Sequence, residues 1–147
     1  MPDMNESAPS IKILDTTLRD GEQTQGVSFS PEEKTNIATA LLELVRVDRI
    51  EVASARVSTG EIEAVSNIIR WAAGEGLADR VEVLGFIDRG KSVDWVVQAG
   101  GRIINLLAKG SEKHCRQQLG KTLDEHVLDV RENVEIAREK GLALNLY

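Results

Sequence analysis

The chain has 147 residues, of which 41% are hydrophobic and 29% are charged, and its formal net charge is −6. This composition is typical of a globular domain, and the acidic balance offers no basic surface for a nucleic-acid backbone. The single cysteine, Cys115, excludes an intrachain disulfide and fits a reducing compartment. The polar segment 1–10 predicts a disordered leader, and no apolar run reaches membrane-spanning length. We therefore expect a cytoplasmic protein that binds neither nucleic acid nor membranes.

Two strands and an intervening helix are predicted in the first third of the chain. Alternating apolar side chains predict a strand over 11–17. A helix begins at Pro31, because Ser30 and Glu33 have the spacing of a capping box with proline at the first helical position. The segment 49–54 predicts the second strand. The apolar stripe of the helix comprises Ile37, Leu41, Leu44 and Val45.

The middle of the chain repeats this alternation. Ser58 and Glu61 have the same capping-box spacing and open a second helix, which the glycines at 74 and 76 end. The segment 81–87 is nearly apolar throughout, as expected of a strand that is covered on both faces. A short helix over 91–99 follows. The stripe of the second helix comprises Ile62, Val65, Ile69 and Ala72.

The last third adds a fourth strand over 102–108, the longest helix over 123–140 and a fifth strand over 142–147. Thr122 and Glu125 form the capping box of this helix. Strands alternating with helices predict an α/β fold with a parallel sheet and right-handed crossovers. Periodicity alone leaves an open sheet and a barrel as alternatives. The stripe of the longest helix comprises Leu123, Val127, Val130, Val134 and Ala137.

The run 14–23, LDTTLRDGEQ, holds the first candidate site residues. Arg19 and Asp20 stand where the first strand ends, and chemistry in parallel α/β folds lies at the carboxyl ends of strands. Asp20 is a hard oxygen donor suited to a divalent metal, and Arg19 is a permanent cation suited to a developing oxyanion. Gly21 follows them, so the backbone is free to turn sharply. This pattern predicts the beginning of an active site.

The same run resembles the first-strand signature of the metal-dependent Claisen-type acyltransferases and lyases that are built on a TIM barrel. This family includes the 2-isopropylmalate, homocitrate and citramalate synthases and the hydroxymethylglutaryl-CoA lyases. The resemblance implies that Arg19 steadies an enolate oxygen, that Asp20 binds the metal and that Gln23 contacts substrate. Glu51 matches the second-strand glutamate that pairs with the catalytic arginine, and a carboxylate is able to hold a guanidinium in one bidentate orientation.

The resemblance spans 11–147 and implies the N-terminal half of a TIM barrel, with about four strand–helix units and a fifth strand. The segment 11–147 is then a truncated catalytic domain. The implied reaction condenses acetyl-CoA with a 2-oxo acid, most nearly as 2-isopropylmalate synthases do, and needs a divalent metal (Mg, Mn or Zn). The remaining metal ligands and the base would lie beyond Tyr147, so we expect the isolated chain to be inactive. Unpaired strand edges favour a homo-oligomer, and a dimer is expected.

Two other functions stay open. A lyase of the same family would cleave a hydroxyacyl-CoA, and a half-barrel without catalysis would serve as an assembly module. Three residues carry alternatives of their own, and a fourth has a single expectation. Arg56 binds a substrate carboxylate or faces solvent, and Asn105 faces a ligand or is a satisfied core amide. His114, in the loop after the fourth strand, contacts a thioester, serves as an acid or faces solvent, whereas His126 is expected at the helix surface.

Overall fold

Five parallel strands form one sheet in which each strand lies beside its predecessor in the chain. The computed structural model describes residues 11–147, and the leader expected over 1–10 lies outside these residues. This sequential order differs from that of a doubly wound open sheet, whose strand order reverses at a switch point. The strands are β1 (Leu14–Asp15), β2 (Arg49–Ser54), β3 (Val81–Phe86), β4 (Ile103–Leu107) and β5 (Ala143–Leu146).

Helices connect the strands, so the expected strand–helix alternation is confirmed. They are α1 (Pro31–Thr39), α2 (Thr59–Gly74), α3 (Lys91–Gln98), α4 (Glu112–His114) and α5 (Leu123–Glu139). Wide π-type turns over Ala40–Val45 and Cys115–Leu119 extend α1 and α4, and short 3-10 turns cover Gly21–Gln23 and Ala78–Arg80. Within 11–147, no helix has the length and apolar character needed to cross a membrane.

The core lies between the sheet and its helices. The strands β2 and β3 are buried along nearly their whole length, as the nearly apolar sequence of 81–87 predicted for β3. Ile50, Val52, Val81 and Val83 supply the strand side of this core, and they are at most 1% exposed. The core also contains, from the helices, Ala38, Val65, Ile68, Ile69, Ala72, Val93, Val96 and Ala137.

The first strand is shorter than its sequence predicted. Only Leu14 and Asp15 pair with β2, whereas Ile11 is 92% exposed and Ile13 is 60% exposed. The strand lies at the sheet edge, where no neighbour covers the outer side of this segment in the described chain. The backbone then turns at Thr16, so alternation alone overestimated the length of the strand.

Two predicted helix stripes are partly wrong. Leu44 and Val45 are 79% and 64% exposed, because the wide turn that begins at Ala40 changes the angle between successive side chains. The buried face of this segment instead carries Lys34, Ala38 and Leu42. On α5, two predicted stripe residues are about 40% exposed, and the fully buried positions include two polar side chains. The exposed pair is Leu123 and Val127, and the buried polar pair is His126 and Asn133.

His126 is the clearest of these corrections. It was expected at the surface, but it is 3% exposed. Its Nε2 atom accepts a hydrogen bond from the backbone N–H of Lys109 at 3.0 Å. The histidine therefore satisfies the backbone that follows β4, and this long-range partner was invisible in the local helix pattern.

Two of the three expected capping boxes are present. At Ser30–Glu33 and Thr122–Glu125, the glutamate accepts from the cap backbone and the cap side chain accepts from the glutamate backbone. These backbone hydrogen bonds, with help from the cap hydroxyls, lower the pKa of Glu33 and of Glu125. The Ser58–Glu61 box is wrong: Ser58 makes no side-chain cap bond, and Glu61 binds a lysine of α1 instead.

Candidate active site

The turn after β1 presents the candidate site residues at the carboxyl edge of the sheet. The Thr16 carbonyl accepts from the backbone N–H groups of Arg19, Asp20 and Gly21 at 3.1, 2.8 and 3.2 Å. The Asp15 carboxylate accepts from the Thr17 N–H at 2.9 Å, so this pair caps the turn and does not contact Arg19. Gly21 lies within this sharp turn, as expected, and the left-handed backbone that favours glycine occurs later, at Gly26.

Arg19 lies between two carboxylates. Its Nε atom donates to Glu51 Oε2 at 2.5 Å and its Nη1 atom donates to Asp20 Oδ1 at 2.8 Å. Glu51 is fully buried and the Arg19 side chain is 18% exposed, so each charge depends on the other for compensation. The contact is not the bidentate pair that the sequence suggested, because the second oxygen of Glu51 has a different partner. The guanidinium is nevertheless fixed in one orientation by two bonds.

Asn105 is that second partner. Its Nδ2 atom donates to Glu51 Oε1 at 2.7 Å, and its Oδ1 atom accepts from Asn145 Nδ2 at 2.8 Å. Asn105 and Asn145 stand opposite each other in the β4–β5 register. Asn105 is therefore a satisfied core amide that also holds the carboxylate of the candidate site, which settles the alternative left open by its sequence.

The same row of polar side chains continues into β3. Asn145 Nδ2 also donates to Glu82 Oε2 at 3.3 Å, and Arg49 Nη1 donates to Glu82 Oε1 at 2.9 Å. Glu51 and Glu82 are opposite one another in the β2–β3 register, and neither is exposed. Burial, followed by the negative charges of these two glutamates, raises the pKa of Tyr147. A connected network of polar groups in the sheet therefore holds the Glu51 carboxylate that pairs with Arg19.

An open pocket of about 280 Å³ adjoins Arg19, between the turn after β1 and the beginning of α2. Gln23 and Ser54 contribute polar groups to its wall, and Leu18, Ala53 and Val57 contribute apolar ones. Gln23 is exposed and lies beside Arg19 in this wall. The structure thus brings Arg19, Gln23 and Glu51 together at one end of the sheet, while their roles stay predictions.

Asp20 fits a cation only as a single ligand. Its side chain is 63% exposed, and one of its oxygens accepts from Arg19 while the other has no hydrogen-bond partner within 11–147. Across these described residues, no group of three or more His, Cys, Asp and Glu side chains is arranged to hold a metal ion. Asp20 therefore offers one hard oxygen beside the pocket, and a complete set of ligands would need further donors.

Other candidate residues lie outside this arrangement. Arg56, in the loop after β2, donates to Asp88 Oδ2 in the loop after β3 at 2.7 Å, and its side chain is 43% exposed, so it faces solvent and has a protein partner. His114 is exposed and lies in α4, a short helix where the sequence suggested a loop. Cys115 is buried. None of these three contacts the Arg19–Glu51 pair.

Sequence reasoning missed Lys34, which is 1% exposed and binds both Glu22 and Glu61. The sequence signal for its burial was the position of Lys34, four residues before Ala38 on the buried face of α1. A charged residue on such a face is unusual without a partner. It also missed Asn145, whose partners lie 40 and 63 residues away. Only the register of the sheet connects such residues.

A parallel sheet of sequential strands, with a fixed arginine and a pocket at its carboxyl edge, is the arrangement of the first half of a TIM barrel. The sequence profile of the HMGL-like family matches residues 10–146, so the chain belongs to this family. The hydroxymethylglutaryl-CoA lyase of Brucella melitensis has the same fold over 95% of this chain and 49% of its own chain, with a TM-score of 0.74 and 22% identity. This likeness shows the fold alone.

Relatives of known name are more similar in sequence. The chain is 39% identical over 137 residues to the (R)-citramalate synthase CimA of Methanocaldococcus jannaschii, which covers 92% of this chain and 26% of that enzyme. It is 36% identical over 133 residues to the 2-isopropylmalate synthase of Saccharolobus solfataricus, which covers 90% of this chain and 33% of that enzyme. The chain therefore spans between a quarter and a third of the length of these relatives.

Proposed function

We propose that the natural polypeptide carrying this sequence condenses acetyl-CoA with a 2-oxo acid. The observation that carries the proposal is the Arg19 guanidinium, which two hydrogen bonds fix between Glu51 and Asp20 at the edge of a pocket. The chain's membership of the HMGL-like family and its similarity to acyl-condensing synthases support this assignment. The fixed cation is the part of the site that a condensation with a developing oxyanion requires.

In the proposed reaction, a base removes a proton from the acetyl methyl group, and the resulting carbon attacks the ketone carbon of the 2-oxo acid. The ketone oxygen becomes a hydroxyl group, and water then cleaves the thioester to release CoA. Arg19 would stabilise the oxyanion charge of the bond-forming step, because its guanidinium is already oriented and little reorganisation is needed. Its Nη2 atom has no hydrogen-bond partner within 11–147 and is the donor available to substrate.

Glu51 and Gln23 have supporting roles in this proposal. Glu51 would keep Arg19 in one orientation, since its two oxygens accept from Arg19 and Asn105 at 2.5 and 2.7 Å. Gln23 would place the substrate, because it is exposed in the pocket wall beside Arg19. Both roles are positional, and positioning of reacting groups is a large part of catalysis in condensations.

A divalent metal, Mg, Mn or Zn, belongs to the proposal as the Lewis acid that polarises the ketone. Asp20 would be one of its ligands, since its carboxylate is exposed and only one oxygen is engaged. A single carboxylate holds such an ion weakly. We therefore propose that residues 1–147 alone do not turn over substrate. A cytoplasmic location and a dimer also stay predictions.

The substrate we propose first is the branched 2-oxo acid, 3-methyl-2-oxobutanoate, whose condensation gives 2-isopropylmalate. Pyruvate, which gives citramalate in the same reaction, is the competing substrate, because relatives of both names match this chain at 36–39% identity. The two acids differ by two methyl groups, so the apolar wall formed by Leu18, Ala53 and Val57 is where selectivity would arise.

The test measures CoA thiol release by the natural polypeptide with each 2-oxo acid, with and without a chelator. We expect release that needs both the oxo acid and the metal, and that D20N abolishes. A matched control, D79N, removes a carboxylate that is 80% exposed and distant in sequence, and should leave release unchanged. Cleavage of hydroxymethylglutaryl-CoA without any oxo acid would favour the lyase. A stable oligomer that is indifferent to metal and to D20N, with no turnover, would favour the assembly module.

A further inference from the structure

A lysine is buried behind the wall of the pocket. The Nζ atom of Lys34, on α1, lies 2.5 Å from Glu22 Oε2 and 2.7 Å from Glu61 Oε1. Lysine is almost never fully buried unless it is paired, and Lys34 is only 1% exposed. The three side chains come from three segments: the turn after β1, α1 and α2. The lysine therefore joins parts of the chain that are separate in sequence.

Glu22 connects this lysine to the candidate site. It lies in the turn Gly21–Gln23, between the metal-ligand candidate Asp20 and the substrate-binding candidate Gln23. Its other carboxylate oxygen, Oε1, accepts from the Phe29 N–H at 3.0 Å. The Glu22 carboxylate thus joins the two ends of the segment 22–29 through Phe29 and binds this segment to α1 through Lys34. After the turn Gly21–Gln23, the segment contains no helix or strand.

The position of the Glu22 carboxylate depends on the positive charge of Lys34. Two carboxylates face a single ammonium, and Glu61 Oε2 is buried with no partner within the described residues. Without the positive charge, Glu22 and Glu61 would face each other with no compensation, and the more mobile carboxylate would move to solvent. Glu22 is on the turn, whereas Glu61 is on a helix, so we expect Glu22 to move.

We infer that Lys34 is a positioning residue, which acts through Glu22 to hold the turn that carries Asp20 and Gln23 beside Arg19. The inference rests on the proposed function, because it assigns the turn to binding of the 2-oxo acid and the metal. Lys34 itself is behind the pocket wall that Glu22 and Glu61 form, and it touches neither Arg19 nor Gln23 in the hydrogen-bond network. Its effect is therefore on geometry, not on chemistry.

The experiment compares K34M, E22Q and the double variant in the natural polypeptide. Loss of a residue that orients a ligand typically lowers affinity or activity about 10–100-fold. We expect K34M to raise the KM for the 2-oxo acid by about this factor and the KM for acetyl-CoA by less than about twofold. E22Q should reproduce the effect, and the double variant should be no worse than K34M. K34R tests whether another buried cation restores binding.

The matched control is K140M, which breaks a lysine–carboxylate pair on the surface. Lys140 Nζ lies 2.6 Å from Asp94 Oδ1, with both side chains more than 40% exposed. This variant should leave both KM values unchanged. If K34M raises both KM values equally, or neither, the inference is wrong.

A second measurement does not need activity. Hydrogen exchange of the backbone amides in 22–29, the Phe29 N–H among them, should be faster in K34M and E22Q than in the wild type, and unchanged in K140M. Unchanged exchange in 22–29 would overturn the inference even if turnover fell. If the wild type releases no CoA with any 2-oxo acid, the proposed function fails, while the exchange experiment still decides whether Lys34 orders the turn.

Discussion

Two arginine–glutamate pairs lie side by side in this sheet, and Arg19 of the first pair lines a pocket. Arg19 pairs with Glu51 across 32 residues, and Arg49 pairs with Glu82 across 33 residues. Both glutamates are fully buried and face each other across β2 and β3. An arginine that reaches a glutamate on the following strand is therefore a structural device that this chain uses twice. The pair alone does not make a site.

The difference lies in what surrounds each arginine. Arg19 comes from the turn after β1, has Asp20 as a second partner and contributes to the pocket wall. Arg49 is the first residue of β2, and its Nε atom is buried with no partner within 11–147. Position at the carboxyl end of a strand places Arg19 of the first pair at a pocket, whereas Arg49 of the second pair lies within the sheet.

The largest difference between the pairs should be in turnover. We expect R19A to lower kcat about 10²–10³-fold, as loss of one oxyanion-stabilising donor does elsewhere. R49A should change kcat far less, because Arg49 is not among the residues that line the pocket. Steady-state CoA release by the natural polypeptide measures both. Equal losses in the two variants, or near-normal turnover in R19A, would remove the distinction.

The next difference should be in stability. Both oxygens of Glu51 accept from donors, at 2.5 and 2.7 Å, so in E51Q the amide N–H₂ must face one donor. We expect E51Q to lower the free energy of unfolding by about 2–3 kcal/mol. E82Q should lower the free energy of unfolding by roughly half as much, because Arg49 is 31% exposed and the contact between Glu82 and Asn145 is long, at 3.3 Å. Urea unfolding of the 147-residue chain measures both values. A larger loss in E82Q would contradict this order.

A smaller effect tests whether the pairs are connected. Asn105 and Asn145 join Glu51 to Glu82 through bonds of 2.7, 2.8 and 3.3 Å. In a double-mutant cycle of E51Q and E82Q, we expect a coupling energy of about 0.5–1 kcal/mol. The same cycle in an N145A background should give a coupling close to zero. Coupling that survives N145A would mean that the two carboxylates interact directly and not through the amides.

The sequence predicted the parts of this molecule that local pattern determines. The bounds of β2 were correct, and those of β3 were within one residue, since β3 is buried along nearly its whole length and reads as an apolar run. The expected contact between Arg19 and Glu51 is present, because a strand-end motif and the following strand necessarily meet at one edge of a parallel sheet. Their catalytic roles stay predictions.

What depends on long-range packing was not predictable. Leu44 and Val45 fit a helical stripe, but the π-type turn that contains them directs them to solvent. Lys34 was not singled out from the sequence, and it is buried where two distant carboxylates meet its ammonium group. Asn145 acquires its role from the β4–β5 register alone. In each case the deciding partner lies outside the local pattern that sequence reasoning uses.

The smallest expected effect compares the two glutamates through one reporter. Tyr147 is the only tyrosine in the chain, and burial, then the charges of Glu51 and Glu82, raise its pKa above 10.0. The native state therefore keeps the phenol proton to higher pH than the unfolded chain does. The stability that results is complete below pH 10.0 and is lost as the pH rises through the native pKa.

Removing one negative charge should lower the Tyr147 pKa, and E51Q should lower it more than E82Q, because Glu51 contributes more to the shift. A pH titration of tyrosinate absorbance in the 147-residue chain measures the change, with tryptophan fluorescence to show that the fold persists. D79N, which removes a carboxylate that is 80% exposed, is the control and should leave the titration unchanged. Equal shifts in E51Q and E82Q would mean that Tyr147 senses the two pairs alike. The asymmetry between them would then lie only in their access to the pocket.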